Sequence, residues 1–259
     1  MLNKYVLITG ASGGLGREYT NQLLAQGFNL ILVARNKERL DYFKDSLIIN
    51  DKQIVLSFQC DVMKNEDVIS LFNFIGNKGI KLHKIIHIAG LEVEGWFKET
   101  THEDIIKIAQ VNVVGSTNII HRALDHKDDS LEILLMSSLA GYFPMPMKAV
   151  YAASKRYLID LTRTLNYELN DDNIYITAVC PAGMATKMEI IKKIRSQGFM
   201  GNLTTVDVNI VVRKSLQKLE KHKTIYIPGK MNVFIMLVSK LIPRKRLTKT
   251  LGKRWKRTL

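Results

Sequence analysis

The chain has few cysteines and few prolines, two and five respectively among 259 residues. Cys60 and Cys180 each close a predicted strand, so we expect free, buried thiols in a reducing compartment rather than a disulfide framework. No proline- or serine-rich linker, internal repeat or low-complexity segment interrupts the sequence, which favours a single domain. Met1 leads into a predicted strand within four residues, leaving no room for a signal peptide, and we therefore expect a cytoplasmic location.

Long apolar runs and acidic residues are both lacking towards the end of the chain. The apolar stretch 231–242 has twelve residues, fewer than the roughly 20 that a bilayer-spanning helix needs. From Lys240 to Leu259 there are nine Lys or Arg and no acid, whereas the rest of the chain supplies only +5 of the net charge of +14. The excess charge therefore belongs to a basic tail.

Within this tail, Leu247, Leu251 and Trp255 recur every four residues among cations. This pattern is typical of an amphipathic helix that binds a membrane surface, and it predicts a possible peripheral membrane contact. The alternative is that the tail packs on the substrate opening or on a partner subunit. Binding of nucleic acid is not predicted, because no basic groove with interleaved aromatic residues is found elsewhere.

Short β-branched runs alternate with amphipathic helical patterns along the whole chain. Such runs, apolar throughout, predict a parallel sheet covered by helices on both faces, an α/β doubly wound Rossmann-like fold. We predict a domain over residues 1–230, with a substrate loop at 184–202, followed by the tail at 231–259. Seven strands are expected, at Tyr5–Thr9, Leu30–Ala34, Ile54–Gln59, Ile85–Ala89, Ile133–Ser137, Ile174–Val179 and Thr224–Ile227.

A glycine-rich turn follows the first predicted strand and precedes a helix. Gly10 allows a tight turn, Gly14 a close approach of backbone to a pyrophosphate, and Gly16 close packing of helix on strand, while the helix N-terminus offers free N–H groups. The predicted nucleotide-binding residues of this turn are Gly10, Ser12, Gly13, Gly14, Leu15 and Gly16.

The end of the second strand bears on the choice of cofactor. Ala34 cannot accept a hydrogen bond from the ribose hydroxyls, whereas Arg35 can pair with the 2′-phosphate of NADP(H). Alternatively, Arg35 is a solvated residue that opens the next helix. Asp61 and Val62 after strand three, and Ala89 and Gly90 after strand four, are expected beside the adenine and ribose.

Tyr151 and Lys155 are four residues apart, and Ser138 lies thirteen residues upstream of the tyrosine. Four residues is about one helical turn, so the phenol and the ammonium should leave the same face of a helix. A neighbouring ammonium is expected to lower the pKa of the tyrosine from about 10 and to suit it for proton transfer.

With these motifs the chain resembles the short-chain dehydrogenase/reductase family, over nearly its whole length to about residue 230. The family pattern TGxxxGxG is matched by Thr9 to Gly16, and the catalytic tetrad by Asn112, Ser138, Tyr151 and Lys155. The resemblance implies hydride transfer between NADP(H) and a carbonyl carbon, with Tyr151 as the general acid or base. It also implies that Ser138 holds the carbonyl, that Lys155 binds the nicotinamide ribose, and that Asn112 holds a relay water.

Two segments depart from the family pattern. The usual Asn-Asn-Ala-Gly reads His87-Ile88-Ala89-Gly90, so the asparagines that steady the central strands are absent. After strand six the usual Pro-Gly becomes Pro181-Ala182-Gly183. In the family this loop contacts the nicotinamide, so Pro181, Met184 and Thr186 are the matching residues here.

The segments expected to wall a substrate pocket are rich in aromatic residues and methionine. Such side chains suit a bulky apolar ketone or alcohol, such as a hydroxysteroid or a 3-oxoacyl chain, although some of them could simply pack on the core. The aromatic and methionine residues expected to wall the pocket are Trp96, Phe97, Tyr142, Phe143, Met145, Met147, Met184, Met188, Phe199 and Met200.

No metal site is predicted from the sequence.

Two other functions compete with that of an NADP(H)-dependent oxidoreductase. One is a catalytically idle nucleotide-binding sensor or scaffold, against which the intact tetrad argues. The other is a membrane-associated adaptor in which only the tail matters. The family resemblance also implies a homo-oligomer, dimer or tetramer, formed through helices that should begin near Asp104 and Val150.

Overall fold

A computed structural model gives the architecture, and it describes residues 4–184 and 204–256. Seven parallel strands form one sheet in the order β3-β2-β1-β4-β5-β6-β7. Their bounds are β1 Tyr5–Thr9, β2 Asn29–Ala34, β3 Val55–Gln59, β4 Leu82–His87, β5 Lys127–Met136, β6 Ile174–Val179 and β7 Ile225–Tyr226. The predicted doubly wound sheet is thereby confirmed, since the strand order reverses direction between β1 and β4.

Helices cover both faces of this sheet. The α-helices of the described residues are α1 Gly14–Ala25, α2 Lys37–Asp45, α3 Asn65–Asn77, α4 His102–Ala109, α5 Ser116–Ala123, α6 Ala149–Glu168, α7 Val208–Glu220, α8 Lys230–Lys240 and α9 Arg244–Lys256. None of the helices in this part of the chain combines the length and the hydropathy needed to cross a membrane.

Alternation along the strands divides the core between the two faces. In β1, Leu7 faces a cluster formed with α3, α5 and α6, whereas Val6 and Ile8 face a cluster formed with α1, α2 and α7. Both clusters are buried, as expected of parallel strands covered on two sides. Cys60 and Cys180 are buried and free, and burial raises the pKa of each thiol to about 12, so both stay protonated.

Strands β4 and β5 are longer than their apolar runs predict. The extra residues contain Lys84 and Glu132, which face one another in the register of the two strands and form a buried ion pair. Each charge is compensated by the other, so polar residues can occupy central strands that a search for apolar runs misses.

The helix after the β4 loop is continuous from α4 to α5 but contains one π-helical turn, Gln110–Gly115. Such turns insert a residue into the helical register and are frequent at functional sites. This turn carries Asn112, whose side chain is fully buried.

Candidate active site

The predicted cofactor residues come together because parallel strands end at one edge of the sheet. Gly10 follows β1, Arg35 follows β2, Asp61 and Val62 follow β3, Ala89 and Gly90 follow β4, and Pro181 and Met184 follow β6. Thr186, Met188, Phe199 and Met200 lie outside the described residues. The strand order therefore aligns these loops along one side of the molecule.

The glycine-rich turn has the geometry of a cradle for an anion. Gly10 adopts a φ of +72°, which favours glycine, and a Cβ there would lie 3.1 Å from the Ala89 nitrogen. A Cβ on Gly16 would lie 2.3 Å from the Gly10 carbonyl oxygen, so no side chain fits. Gly13 precedes α1 without a side-chain cap, and the first turn of α1 has no acid, which leaves its N–H groups to an anion.

Arg35 is exposed directly after β2, and its carbonyl oxygen accepts a hydrogen bond from the side chain of Gln59 at 3.0 Å. Ala34 beside it is buried and offers no acceptor. Arg35 therefore lies at the carboxyl edge of the sheet, next to a residue whose side chain offers no hydrogen-bond acceptor.

Tyr151, Lys155 and Ser138 meet where β5 and α6 approach each other. The Nζ atom of Lys155 lies 5.7 Å from the centre of the Tyr151 ring, which confirms that both side chains leave the same face of α6. Lys155 is 4% exposed and donates a hydrogen bond to the Met136 carbonyl oxygen at 2.8 Å. The Tyr151 hydroxyl is hydrogen-bonded to the Ser138 side chain.

The prediction of a lowered tyrosine pKa is wrong for this structure. Burial raises the pKa of Tyr151 above its ordinary value, the carboxylate of Glu92 raises it further, and the hydrogen bond from Ser138 only partly opposes this rise. Lys155 does not offset these effects, because burial lowers its own pKa to about 8 and it has therefore lost its charge at the more alkaline pH where the phenol titrates. The phenol is therefore protonated across the neutral range.

Glu92 is the site residue that sequence reasoning missed. Its carboxylate is hydrogen-bonded to Tyr151 and forms an ion pair with Lys148, which also lies 3.4 Å from Glu94. The signal available in the sequence was a pair of acids, Glu92 and Glu94, two and four residues after Gly90, together with Lys148, three residues before Tyr151.

A backbone contact reinforces this ion pair. The Gly95 N–H donates to the Met147 carbonyl oxygen at 2.9 Å, and Met147 is held at a φ of +67°, an uncommon conformation for a residue with a side chain. The loop after β4 is thereby fastened to the start of α6, and this fixes the position of Tyr151.

Asn112 connects the loop after β4 to helix α6 through its side-chain hydrogen bonds. Its Oδ1 accepts from the Leu91 N–H at 2.8 Å, and its Nδ2 donates to the Leu91 carbonyl at 2.9 Å and to the Ser154 hydroxyl at 2.9 Å. Both amide protons are thus used by the protein. The relay-water role stays a prediction, and within the side chain it would fall to the remaining lone pair of Oδ1.

His87 replaces the first asparagine of the family pattern and still ties the central strands together. Its Nδ1 lies 2.9 Å from the Thr9 hydroxyl of β1, and its Nε2 lies 2.9 Å from the Ser116 hydroxyl of α5. Burial, aided by the nearby charge of Lys155, lowers the pKa of His87 to about 3. It is therefore a neutral, structural histidine.

A narrow cleft lies beside Tyr151, lined mainly by apolar residues. Phe97 and Met147 lie on it as predicted, whereas Tyr142 is turned into the core with Leu139 and Met236. For Tyr142 the alternative of core packing is therefore the correct one.

The chain is similar in sequence to known dehydrogenases and reductases. A family model described as short chain dehydrogenase matches residues 4–196. A very-long-chain 3-oxoacyl-CoA reductase of Neurospora crassa is 30% identical over 197 residues, covering 73% of this chain and 58% of that protein. An 11-beta-hydroxysteroid dehydrogenase-like 2 protein of Arabidopsis thaliana is 33% identical over 187 residues, covering 71% and 60%. The chain thus spans about three fifths of the length of these relatives.

Solved structures share the fold. A short-chain dehydrogenase from Sphingobium yanoikuyae in complex with NADPH has a TM-score of 0.75 at 27% identity, covering 88% of both chains. A bulky-bulky ketone specific alcohol dehydrogenase from Comamonas testosteroni has a TM-score of 0.75 at 24% identity, covering 93% of this chain and 94% of that one. At that identity the second likeness shows the fold alone.

Proposed function

Since the chain belongs to the short-chain dehydrogenase/reductase family, we propose that it is an NADP(H)-dependent oxidoreductase that interconverts a carbonyl and an alcohol. The observation that carries the proposal is the position of Tyr151. Its protonated phenol is hydrogen-bonded to Ser138 and stands over the buried Lys155, at the edge of the sheet where the cofactor loops end.

In the reductive direction Tyr151 donates its proton to the carbonyl oxygen of the substrate. When bound, NADPH supplies the hydride. Ser138 donates a hydrogen bond to the same oxygen and stabilises the negative charge that develops there. The raised pKa of Tyr151 favours this direction, because the phenol holds its proton until a substrate oxygen accepts it.

Lys155 prepares the site for a cofactor. Its pKa of about 8 leaves it mostly charged at neutral pH, and only one of its protons is fixed by the Met136 carbonyl in the described structure. The other two are free to bind the nicotinamide ribose and to stabilise a phenolate once Tyr151 has given up its proton.

The choice of NADP(H) over NAD(H) is supported by two features of the nucleotide end. The glycine cradle and the uncapped N-terminus of α1 fit a pyrophosphate, and Arg35 without an acid at the end of β2 fits a 2′-phosphate. The NADPH complex of the Sphingobium relative is consistent with this assignment.

We propose an apolar substrate, a hydroxysteroid, a 3-oxoacyl thioester or a similar ketone. Phe97, Val93 and Met147 line the cleft beside Tyr151, and they offer apolar contact rather than charge. The names of the Neurospora and Arabidopsis relatives, a 3-oxoacyl-CoA reductase and a hydroxysteroid dehydrogenase-like protein, point to the same class.

The assembly and setting of the enzyme follow as further proposals. We propose a homo-oligomer, dimer or tetramer, through α4 and α6, which begin at His102 and Ala149, close to the predicted Asp104 and Val150. Residues 1–230, with the substrate loop 184–202, would form the catalytic unit and the tail a peripheral membrane contact. Free, buried thiols at Cys60 and Cys180 suit a cytoplasmic setting.

A substrate screen tests the proposed activity. Consumption of NADPH is followed with a panel of ketosteroids, 3-oxoacyl thioesters and simple bulky ketones, with Tyr151→Phe as the control for each. Turnover that disappears in the variant supports the proposal. Tight NADPH binding without turnover of any substrate class would contradict the proposal and favour the idle sensor or scaffold. A membrane-associated adaptor would show neither NADPH binding nor turnover.

A further inference from the structure

An exposed apolar surface runs along α8 and just beyond it. The side chains concerned are between 38% and 85% exposed, and their spacing of three and four residues places them on one face of the helix. They are Phe234, Leu237, Val238, Leu241 and Ile242. Together they are called the α8 apolar face.

The opposite side of α8 is firmly attached to the protein. Met236 packs in a buried cluster with Leu139 and Tyr142. Asn232, 1% exposed, donates hydrogen bonds to the carbonyl oxygens of Pro228 at 2.7 Å and Thr204 at 2.9 Å. The helix has therefore buried one side, and the α8 apolar face is what remains in contact with solvent.

Helix α9 follows the second of the two alternatives left open by its sequence and packs on the protein. Leu247, expected on a membrane-facing stripe, is 9% exposed and turned towards the protein. Arg244 donates a hydrogen bond to the Tyr142 carbonyl oxygen at 2.9 Å, and a Cβ on Gly252 would lie 3.5 Å from the Pro146 side chain. The stripe of α9 thus packs inwards, and the side chain of Trp255 lies outside the described residues.

Exposed cations follow the α8 apolar face along the chain, and no acid stands among them in the sequence. Between residues 240 and 256 the sequence contains no Asp or Glu. The exposed cations on α9 and at the end of α8 include Lys240, Arg244, Lys245, Arg246, Lys249 and Lys253. An apolar face followed in the chain by exposed cations matches a surface whose interior is apolar and whose headgroups are anionic.

We infer that the α8 apolar face and the cations of α9 form a docking surface for an anionic phospholipid bilayer. The inference rests on the peripheral membrane contact proposed for the tail. It assigns the apolar part of that contact to the α8 apolar face and not to the stripe of α9 that the sequence suggested. A second copy of the chain fits less well, because a twofold interface would bring these cations of one copy against the same cations of the other.

Docking through this surface has a consequence for substrate access. Helix α9 contacts Pro146, which immediately precedes Met147 on the wall of the cleft beside Tyr151. A bilayer held by the exposed side of α8 and α9 would therefore be separated from this wall of the cleft by helix α9.

Vesicle flotation of the full chain tests the inference. The probes are phosphatidylcholine vesicles with and without phosphatidylserine, and the variant combines Phe234→Gln with Leu241→Gln. A matched control combines Ile48→Gln with Tyr42→Gln, which are 97% and 76% exposed and lie outside both the α8 apolar face and the proposed oligomer helices. Each pair removes two exposed apolar side chains.

We expect the native chain to partition at least about tenfold more strongly onto vesicles containing phosphatidylserine. The α8 pair should lose at least about tenfold in partitioning and the control pair none, and about 0.5 M salt should weaken binding by screening the cations. Equal flotation on both vesicle types, or native-like flotation of the α8 pair, would overturn the inference. A fall in oligomer mass of the α8 pair with unchanged flotation would identify a second copy as the occupant instead.

Activity separates this test from that of the enzyme. NADPH consumption with a water-soluble ketone, measured without vesicles, should be the same for the native chain and the α8 pair. Absence of turnover in every form, with intact and lipid-selective flotation, would refute the oxidoreductase proposal and leave the docking surface standing.

Discussion

Helices α6 and α8 pack on the same molecule with opposite use of their side chains. On the side of α6 that faces the candidate site, polar groups are buried: Lys155 and Ser154 are 4% and 3% exposed, and each has a hydrogen-bond partner. On α8 an apolar side chain as large as Phe234 is 61% exposed. One helix buries charge and the other exposes apolar surface.

Both arrangements cost free energy that folding alone does not require. A buried ammonium loses its hydration, and an exposed phenylalanine gains nothing from the hydrophobic effect. Such departures from ordinary burial concentrate at functional sites and contact surfaces. The contrast therefore separates the proposed site for chemistry on α6 from the proposed contact surface on α8, and variants in each helix should affect different measurements.

The largest effect is expected from Tyr151→Phe on the α6 side. Loss of the hydroxyl removes the proton donor, so turnover should fall by roughly 10²- to 10⁴-fold. NADPH consumption measures the loss, and fluorescence titration should show native NADPH binding. A variant that retained even a tenth of the native turnover would contradict the role given to Tyr151, whereas vesicle flotation should not change at all.

Arg35→Ala should weaken NADPH binding by about 10- to 100-fold and leave NADH binding unchanged, because a charge-assisted bond to a phosphate is lost. Titration with the two cofactors measures the difference. Lys218→Ala is the control, since it removes a cation from the last turn of α7, which leads into the start of β7 at the other edge of the sheet. An equal loss for both cofactors would show that Arg35 acts on the fold and not on the 2′-phosphate.

His87 should make the stability of the native chain depend on pH. Its folded pKa of about 3 lies below the ordinary value of 6.5, so between these values the unfolded chain binds a proton that the folded chain does not. The free energy of unfolding should therefore fall as the pH is lowered from about 6.5 towards 3. The fall should be steeper than in a chain without this histidine, by up to about 1.4 kcal/mol per pH unit.

Urea denaturation of the native chain and of His87→Asn checks this expectation. Asparagine is the residue of the family pattern at this position and does not titrate. The free energy of unfolding of the variant should therefore depend less steeply on pH, by the equivalent of one bound proton. Identical pH dependence of the two chains would contradict the buried, neutral state of His87.

The smallest effect is expected from Glu92→Gln. The carboxylate raises the pKa of both Tyr151 and Lys155, so its removal should lower both. Reduction needs a protonated phenol and a charged lysine, and the alkaline limb of its pH profile should therefore move to lower pH, by less than about one unit. Glu94→Gln, which removes the other acid beside Lys148, should leave the limb in place. A shift to higher pH would contradict this account.

Much of the fold could be predicted from the sequence because its signals are local. Apolar β-branched runs between amphipathic segments located all seven strands, and β1 and β6 agree with their predicted bounds. The early parts of β4 and β5 were missed, since Lys84 and Glu132 read as surface residues until the sheet places them opposite one another. A pairing across 48 residues leaves no local pattern.

The candidate site divides in a similar way. Ser138, Tyr151 and Lys155 could be found because the proposed catalysis needs these residue types at fixed spacing, and the structure brings them together. The pKa of Tyr151 could not be predicted, because it depends on burial and on Glu92, which is distant in sequence. Spacing shows which groups meet, whereas their protonation depends on everything else that surrounds them.

The sequence by itself determined the parallel doubly wound sheet, the glycine-rich turn after β1 and the placement of Tyr151 and Lys155 on one face of a helix, since each depends on periodicity or on contacts within a turn. Only the tertiary structure decided that His87 bridges β1 and α5, that Glu92 reaches Tyr151, and that the tail exposes α8 and not the stripe of α9. An amphipathic pattern gives a helix an apolar side, but which side meets the protein is settled by the space that the neighbouring elements leave.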